Sequence, residues 1–178
     1  MRSLDDIQKG QFIDRYLGEV ITDEEATRRE NAVAKGKESF LFSLDKFQGK
    51  PQDANYIPTK ELCVVDGEFM GGPTRFINHS CDPNCRQFTV TSFRGDLKVY
   101  DLAFFALEYI PALSELTFDY KDKDVEEGDE EEDDGDEEGG RDEEKVTDEN
   151  VQALEVEKGK LATKCLCRSE NCRQYLWL

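Results

Sequence analysis

The chain has 178 residues, enough for a single domain with a substantial buried core and a small appendage. It contains no run of eighteen apolar residues and no apolar segment near its N-terminus, so the sequence predicts neither a membrane span nor a secretory signal and favours a soluble, intracellular protein. The net charge is −18, and the segment 122–149 holds −15 of it, with 18 acidic residues against 3 basic ones.

This acidic segment repels nucleic acid phosphates, which argues against direct nucleic acid binding. Its composition predicts a disordered, solvated insert of low complexity. Two interpretations remain open: the insert has no partner at all, or it attracts a basic polypeptide.

The first predicted element is a strand over residues 11–21, which are β-branched and aromatic without regular alternation. That pattern predicts a strand buried on both faces, with Gly18 marking a bulge or a close approach. Thr22 and Glu25 form a capping box, so a polar helix is predicted to follow and to end near Gly36.

Residues 39–45 predict the next strand, with Phe40, Phe42 and Leu44 on one face. A polar loop over 46–61 leads to a short strand over 62–66.

Further along the chain, Pro73 is predicted to open a short helical turn. Residues 87–93 and 97–107 predict two strands joined by a turn at 94–96, and 115–120 ends the folded part. Residues 151–164 are weakly helical in pattern. Many short strands and few helices indicate a mainly β domain with a linker to a small tail.

The stretch from Arg75 to Cys85 has the composition of a functional site. It holds the only histidine of the chain and places a polar cluster directly behind the apolar pair Phe76-Ile77. Buried polar groups are costly unless each has a partner, so such a cluster indicates a site. The alternative is an ordinary Asp-Pro turn beside a hydrogen-bonded histidine. The polar residues are Asn78, His79, Ser80 and Asn84.

The chain has six cysteines, and three of them lie close together as Cys165-Leu-Cys167 and Cys172. An even number of cysteines is compatible with disulfides in a secreted protein, but without an export signal this spacing favours a metal held by thiolates. Structural zinc is four-coordinate, so a fourth ligand must come from elsewhere in the chain.

Four segments together resemble the motifs of a SET domain with a post-SET zinc tail, the catalytic module of protein lysine methyltransferases. They occur in the order of that family and span nearly the whole chain. The segment Gly67-Glu-Phe-Met-Gly-Gly-Pro-Thr-Arg75 and the tail with Tyr175-Leu-Trp177 resemble the fungal heterochromatin-type histone H3 lysine-9 methyltransferases. The four segments are Tyr16-Leu-Gly-Glu19, Arg75-Phe-Ile-Asn-His-Ser-Cys-Asp-Pro-Asn84, Glu115-Leu-Thr-Phe-Asp-Tyr120, and Cys165-Leu-Cys167 with Cys172.

The resemblance implies a mainly β fold of several small sheets, in which the Asn-His-Ser-Cys segment passes through a loop as a pseudoknot. It divides the chain into a SET domain over 1–121, the acidic insert over 122–150 and a post-SET tail over 151–178. It also implies the missing zinc ligand, since Cys81 would join Cys165, Cys167 and Cys172 on one structural zinc ion. Cys63 and Cys85 are expected to be packing residues.

The implied reaction is transfer of a methyl group from S-adenosylmethionine to a lysine amine. By resemblance, Tyr120 and Tyr16 are catalytic, and Phe118 sets how many methyl groups fit, with Phe leaving room for di- or trimethylation. Phe42 lines the substrate channel. The implied cofactor-binding residues are Phe40, Arg75, Phe76, Asn78, His79, Tyr120 and Trp177.

The implied substrate is lysine 9 of the histone H3 tail, held by strand addition beside residues 40–45, in a nuclear, chromatin-associated, monomeric protein. A non-histone lysine is an open alternative. The sequence departs from the family in lacking a Gly-Trp-Gly element and a cysteine-rich segment ahead of Met1, which predicts a truncated form. Ala112-Leu113-Ser114 also replaces an expected Lys-Gly turn. A catalytically inactive SET module that binds histone tails or other basic proteins is therefore the alternative function.

Overall fold

A computed structural model describes residues 1–32, 39–91, 97–121 and 163–176. These residues form short strands, one α-helix and two 3₁₀ turns, at Thr59–Glu61 and Pro73–Phe76. Within them, no helix is long and apolar enough to cross a membrane. The elements in chain order are β1 (Phe12–Tyr16), β2 (Glu19–Thr22), α1 (Asp23–Ala32), β3 (Leu41–Ser43), β4 (Cys63–Asp66), β5 (Asn78–His79), β6 (Cys85–Val90), β7 (Asp101–Ala106) and β8 (Thr117–Phe118).

The strands of the described residues lie in three small sheets. Two are antiparallel and three-stranded, with the orders β1-β7-β6 and β2-β4-β3, and the third is the parallel pair β5-β8. This is the mainly β architecture that the sequence pattern predicts, in the several small sheets that the family resemblance implies. The parallel pair joins segments almost forty residues apart in sequence, as the predicted passage of the Asn-His-Ser-Cys segment through a loop requires.

The prediction of one continuous strand over 11–21 is wrong, because the chain changes sheets within this run. β1 pairs with β7, whereas β2 pairs with β4. Gly18 lies at the break, and a Cβ there would meet the carbonyl oxygen of Asp66 at 2.4 Å, so the predicted close approach is present. Burial on both faces is also wrong, since Phe12 is 49% exposed and Val20 is 51% exposed.

The predicted helix begins where the capping box places it. The Glu25 amide donates to Thr22 Oγ1 at 3.3 Å, which satisfies one of the unpaired amides of the first turn. The Glu25 carboxylate does not complete the reciprocal half of the box, because it accepts hydrogen bonds from Arg28 and Arg29. Arg29 also contacts the buried carboxylate of Asp66 at 2.7 Å, which ties α1 to the end of β4.

The remaining predicted elements are present with different bounds: β6, predicted over 87–93, begins earlier, at Cys85, and ends at Val90, and the others are shorter than predicted. Within 39–45 only Leu41–Ser43 is a strand, and within 115–120 only Thr117–Phe118. The strand predicted over 97–107 covers only Asp101–Ala106. The preceding Tyr100 is a buried loop residue, and its hydroxyl oxygen accepts a hydrogen bond from the Lys46 amide at 2.9 Å. The predicted turn at 94–96, the acidic insert and the helical pattern over 151–162 lie outside the described residues.

The main core lies beneath the sheet β1-β7-β6 and extends to β8. Phe104 and Leu116 are almost fully buried in it, and Phe42 and Leu44 contact it from β3 and the residue after it. The predicted common face also included Phe40, which is partly buried but is not among the described residues that pack against this core. A smaller cluster of Ile21, Ala26 and Val64 lies under α1. The core therefore packs against Phe118, so β8 is fixed from its buried side.

Candidate active site

The parallel pair β5-β8 brings two of the sequence motifs side by side. Asn78 lies opposite Thr117 and His79 opposite Phe118, and the Ser80 amide donates to the Phe118 carbonyl at 3.1 Å. Asn78 is exposed, and its Nδ2 donates to Glu115 Oε1 at 2.7 Å. The predicted cofactor residues of β5 therefore adjoin the predicted catalytic residues that follow Leu116.

Aromatic rings form a continuous row through this region. The ring centroids of Tyr16 and Phe42 are 4.5 Å apart, those of Phe42 and Phe118 6.0 Å, and those of Phe118 and Tyr120 4.7 Å. His79 continues the row, with its ring 5.3 Å from Tyr120. Phe118 is buried, whereas Tyr120 is 38% exposed, so the row runs from the core to the surface.

Both tyrosine hydroxyls of the row donate to backbone carbonyls. Tyr16 Oη donates to the Phe40 carbonyl at 2.7 Å, and Tyr120 Oη donates to the Ile77 carbonyl at 2.8 Å. Burial, followed by the nearby negative charge of Asp66, raises the pKa of Tyr16 well above its usual value, so this hydroxyl is neutral at physiological pH. Each hydroxyl proton is engaged, which leaves the oxygen lone pairs as hydrogen-bond acceptors.

The position of Tyr16 also requires a glycine at residue 67. A Cβ on Gly67 would lie 2.6 Å from the Tyr16 hydroxyl oxygen, closer than real Cβ contacts. The Gly67 amide donates to the same Phe40 carbonyl that accepts the Tyr16 hydroxyl, at 3.0 Å. The Phe40 carbonyl therefore holds both groups in place.

His79 is fixed by hydrogen bonds on both ring nitrogens. The Tyr120 amide donates to Nδ1 at 3.2 Å, so Nδ1 is the acceptor and the proton lies on Nε2, which is 3.3 Å from Cys81 Sγ. Burial lowers the pKa of His79, partly opposed by Asp119, which favours the neutral ring. Its imidazole thus joins the aromatic row to a cysteine.

Arg75 and Phe76 lie at the end of the 3₁₀ turn before β5. The Arg75 guanidinium donates through Nη1 to the Gly67 carbonyl at 2.8 Å and lies over the Phe76 ring, 4.6 Å from its centroid. Its Nε is buried and has no hydrogen-bond partner among the described residues. Phe76 is 56% exposed. A buried donor and an exposed ring therefore lie together beside Asn78.

Four cysteines converge next to this site. The sulfur atoms of Cys81, Cys165, Cys167 and Cys172 all lie within 4.8 Å of one another. With Zn–S bonds of about 2.3 Å, a tetrahedral zinc site has sulfur atoms about 3.8 Å apart, and Cys81 Sγ and Cys165 Sγ are 3.8 Å apart. All six cysteines are free thiols rather than disulfides. The cluster could therefore hold one zinc ion, with the ligand set that the resemblance implies.

The thiols of the cysteine cluster differ in how readily they form the thiolate that binds metal: burial raises the pKa of Cys165 and, against the Gln174 amide, that of Cys172. Burial opposes ionisation of Cys167, but donors at Ser169 and nearby amides outweigh it and lower the pKa of Cys167. Cys63 and Cys85 lie elsewhere: Cys85 is fully buried in the main core, where burial raises its pKa to about 11. The packing role predicted for Cys85 fits this position.

Three charged residues of this region were not predicted as site residues. Glu115 holds the Asn78 amide, and Asp119 Oδ1 accepts a hydrogen bond from Arg173 Nη2 at 2.6 Å. Burial opposes ionisation of Asp119, but the Arg173 guanidinium and the Lys121 amide lower its pKa. Asp119 lies inside a recognised motif and Arg173 directly follows Cys172, but only their proximity in space identifies them as partners. Trp177 lies outside the described residues.

Three features of the structure together define one class of protein. They are the small β-sheets, the parallel pair that carries Asn78 and His79, and the cysteine cluster that Cys81 joins. The chain belongs to the SET domain family, whose model matches residues 1–121.

The names of individual relatives describe a narrower class within this family. Histone-lysine N-methyltransferase, H3 lysine-9 specific dim-5, of Neurospora crassa is 42% identical over 173 residues, covering 96% of this chain and 45% of the relative. The H3 lysine-9 specific histone-lysine N-methyltransferase of Schizosaccharomyces pombe is 36% identical, covering 99% of this chain and 30% of the relative. The chain thus spans less than half the length of these curated relatives.

Solved structures agree with this assignment. The structure of the Neurospora SET domain protein DIM-5, a histone lysine methyltransferase, has a TM-score of 0.61 at 47% identity, covering 68% of this chain and 47% of that one. A second structure, from work on the product specificity of histone lysine methyltransferases, has a TM-score of 0.65 at 41% identity. It covers 99% of this chain and 51% of that chain.

Proposed function

We propose that this chain is the catalytic part of a methyltransferase that modifies a protein lysine, specifically lysine 9 of the histone H3 tail, to the di- or trimethylated state. The observation that carries the proposal is the aromatic row from Tyr16 to Tyr120, which runs beside Asn78 and His79. The H3 lysine-9 specificity in the names of the relatives supports the choice of substrate.

The aromatic row can prepare a lysine amine for methylation. A free lysine has a pKa near ~10.4, and an apolar channel disfavours its charged form. Phe42 and Phe118 would line such a channel, and the lone pairs of the Tyr16 and Tyr120 hydroxyls would accept hydrogen bonds from the amine. Because both hydroxyl protons are bound to carbonyls, the two oxygens act as acceptors and orient the nitrogen lone pair. The rings also stabilise positive charge through cation–π attraction.

The residues beside β5 suit S-adenosylmethionine, which supplies the methyl group as a sulfonium. The exposed Asn78 amide and the unpartnered Arg75 Nε offer polar groups, while Phe76 and Tyr120 present aromatic surface. Phe40, His79 and Trp177 complete the proposed cofactor set, with Trp177 contributed by the tail. The four-cysteine cluster would hold one zinc ion and so keep the tail next to Asn78 and His79.

The geometry of β3 supports a site for an extended substrate peptide. β3 lies at the end of the sheet β2-β4-β3 in the described residues, and its ladder partner is β4. A strand that pairs on one side presents backbone donors and acceptors on the other, which suits strand addition. A basic histone tail bound here would run beside Phe42, with a lysine directed into the aromatic row.

The proposal includes the organisation of the chain. We propose a SET domain over 1–121, an acidic insert over 122–150 and a zinc-binding tail over 151–178, in a monomeric, nuclear, chromatin-associated protein without direct nucleic acid contacts. The concentration of negative charge in the insert supports a basic polypeptide rather than DNA as the partner.

The test is a methylation assay on the zinc-loaded full chain, with S-adenosylmethionine and an H3 tail peptide. Methyl transfer to this peptide, and none to a matched peptide carrying arginine in place of lysine 9, is the expected result. Transfer to both peptides would contradict the choice of lysine. The second candidate, an inactive SET module, predicts binding of the H3 peptide without methyl transfer and without S-adenosylmethionine binding in calorimetry. A chain that binds neither ligand would contradict both functions.

A further inference from the structure

One carboxylate oxygen just after β8 has neighbours from its own segment and from two others, β5 and the cysteine-rich tail. Asp119 Oδ1 accepts a hydrogen bond from Arg173 Nη2 at 2.6 Å and from the Lys121 amide at 2.9 Å, and it lies 3.5 Å from His79 Nδ1. The side chain of Asp119 is 17% exposed. Asp119 lies between Phe118 and Tyr120, so its position is coupled to both proposed catalytic residues.

Arg173 approaches this oxygen from the cysteine-rich tail. It follows Cys172 directly, and its own backbone amide donates to Cys81 Sγ at 3.4 Å. The residue is therefore held at two points, its backbone on the cysteine cluster and its guanidinium on Asp119. This arrangement connects the tail to the end of β8 without passing through the metal.

The cysteine cluster alone leaves the orientation of the tail undetermined. Three of the four ligands belong to the tail and only Cys81 belongs to the SET domain. Attachment at one residue, through the Cys81 sulfur and a hydrogen bond from the Cys81 amide to Cys167, still lets the tail pivot about that residue. A second contact at Asp119 removes that freedom.

We propose that Arg173 is a positioning residue that orients the zinc-binding tail against the active site through its ion pair with Asp119. The consequence for cofactor retention rests on the proposed function. When the tail is attached only through zinc, the orientation that binds the cofactor is one of several. The apparent affinity for S-adenosylmethionine is then reduced in proportion to the fraction of molecules in that orientation.

The expected effect is modest because the pair is partly exposed, at 41% for Arg173 and 17% for Asp119. Partly exposed ion pairs change equilibria by factors of about 2 to 5. In Arg173→Gln we therefore expect the KM for S-adenosylmethionine to rise by about 3- to 5-fold while kcat stays within about twofold. A merely structural role would instead lower the active fraction, and with it the apparent kcat, at unchanged KM.

Four further variants sharpen the test on the full zinc-loaded chain. Arg173→Lys keeps the positive charge and should recover part of the lost affinity. Arg168→Gln removes an exposed arginine of the same tail and serves as the matched control. In a double-mutant cycle, adding Arg173→Gln to Asp119→Asn should cause little additional increase in KM, because the shared contact is already lost. Zinc content should stay at one ion per chain throughout.

A second readout does not depend on catalysis. Amide hydrogen exchange over residues 163–176 should be faster in Arg173→Gln than in the wild type, and unchanged in Arg168→Gln. Equal exchange in all three proteins would overturn the inference, as would an unchanged KM in an active Arg173→Gln enzyme. A wild type that transfers no methyl group would refute the proposed function, and the exchange measurement would still decide the role of Arg173.

Discussion

Replacing Tyr16 with phenylalanine removes one buried hydroxyl and leaves the ring in place. The hydroxyl donates to the Phe40 carbonyl at 2.7 Å, and the residue is 6% exposed. The Phe40 carbonyl keeps its other donor, the Gly67 amide at 3.0 Å, so it is not left without a partner. At pH 7 we therefore expect the variant to be less stable by about 1 kcal/mol, the net value of a typical hydrogen bond, rather than by the larger cost of an unsatisfied group.

The stability difference should change sign at alkaline pH. Burial raises the pKa of Tyr16 in the folded protein, whereas an unfolded tyrosine titrates near about 10. The stability that follows from this shift is fully present below the unfolded pKa and is lost as the pH rises above it. At pH 11 ionisation of Tyr16 favours the unfolded wild type by about 1.4 kcal/mol. The phenylalanine variant lacks this loss, so it should then be more stable than the wild type by roughly 0.4 kcal/mol.

Urea unfolding of both proteins at pH 7 and pH 11 measures this reversal, since the other tyrosines are common to both chains. A difference that is equal at the two pH values would refute the conclusion that the Tyr16 hydroxyl is buried and neutral. Activity should fall independently of stability. We expect kcat to drop roughly tenfold or more at pH 7, because one acceptor that orients the amine is lost.

Three other changes test the turn, the channel and the metal site. Leu113 adopts φ 67° in a turn closed by a hydrogen bond from the Ser114 amide to the Pro111 carbonyl, and it is 57% exposed. Because glycine adopts a positive φ without strain, Leu113→Gly should stabilise the protein by about 0.5–1 kcal/mol and raise Tm by about 2–4 °C. The control Ala112→Gly should not stabilise it. Phe118→Tyr should shift the product toward monomethyl-lysine, because the added hydroxyl would hold a water that crowds the amine; mass spectra with unchanged trimethylation would contradict this. Cys81→Ser should abolish retention of the single zinc ion during gel filtration against a chelator, while Cys63→Ser should retain it; equal zinc contents would remove Cys81 from the ligand set.

The turn at Leu113 shows what sequence comparison contributes beyond pattern. The family resemblance identifies the absence of a glycine there, and the structure explains why a glycine is expected, since the third residue of the turn has a positive φ. The Leu113 amide donates to the Ser3 carbonyl at 2.8 Å, and its own carbonyl accepts a hydrogen bond from Arg2 at 2.6 Å. These contacts hold the strained residue in place.

Local pattern located most elements of the fold but not their partners. The Thr22 cap and the Pro73 turn depend on neighbouring residues, and both were predicted. Of the common face predicted for Phe40, Phe42 and Leu44, the last two pack against the main core. The break at Gly18 was predicted only as a bulge or a close approach, because the change of sheet depends on β7 and β4, which lie far away in sequence. β5 and β8 have two residues each, too few to show any periodicity.

The same distinction applies to the site. The resemblance supplied the four zinc ligands because those residues are fixed by type and spacing, and the structure brings their sulfur atoms together. Asp119 and Arg173 are 54 residues apart, with the acidic insert between them, and nothing in either local sequence indicates that they pair. Attractive pairs of this kind arise from the path of the chain. Because the insert separates the tail from β8 in sequence but not in space, contacts at Cys81 and Asp119 determine how the tail meets the active site, and length or charge changes in the insert should matter less than loss of either contact.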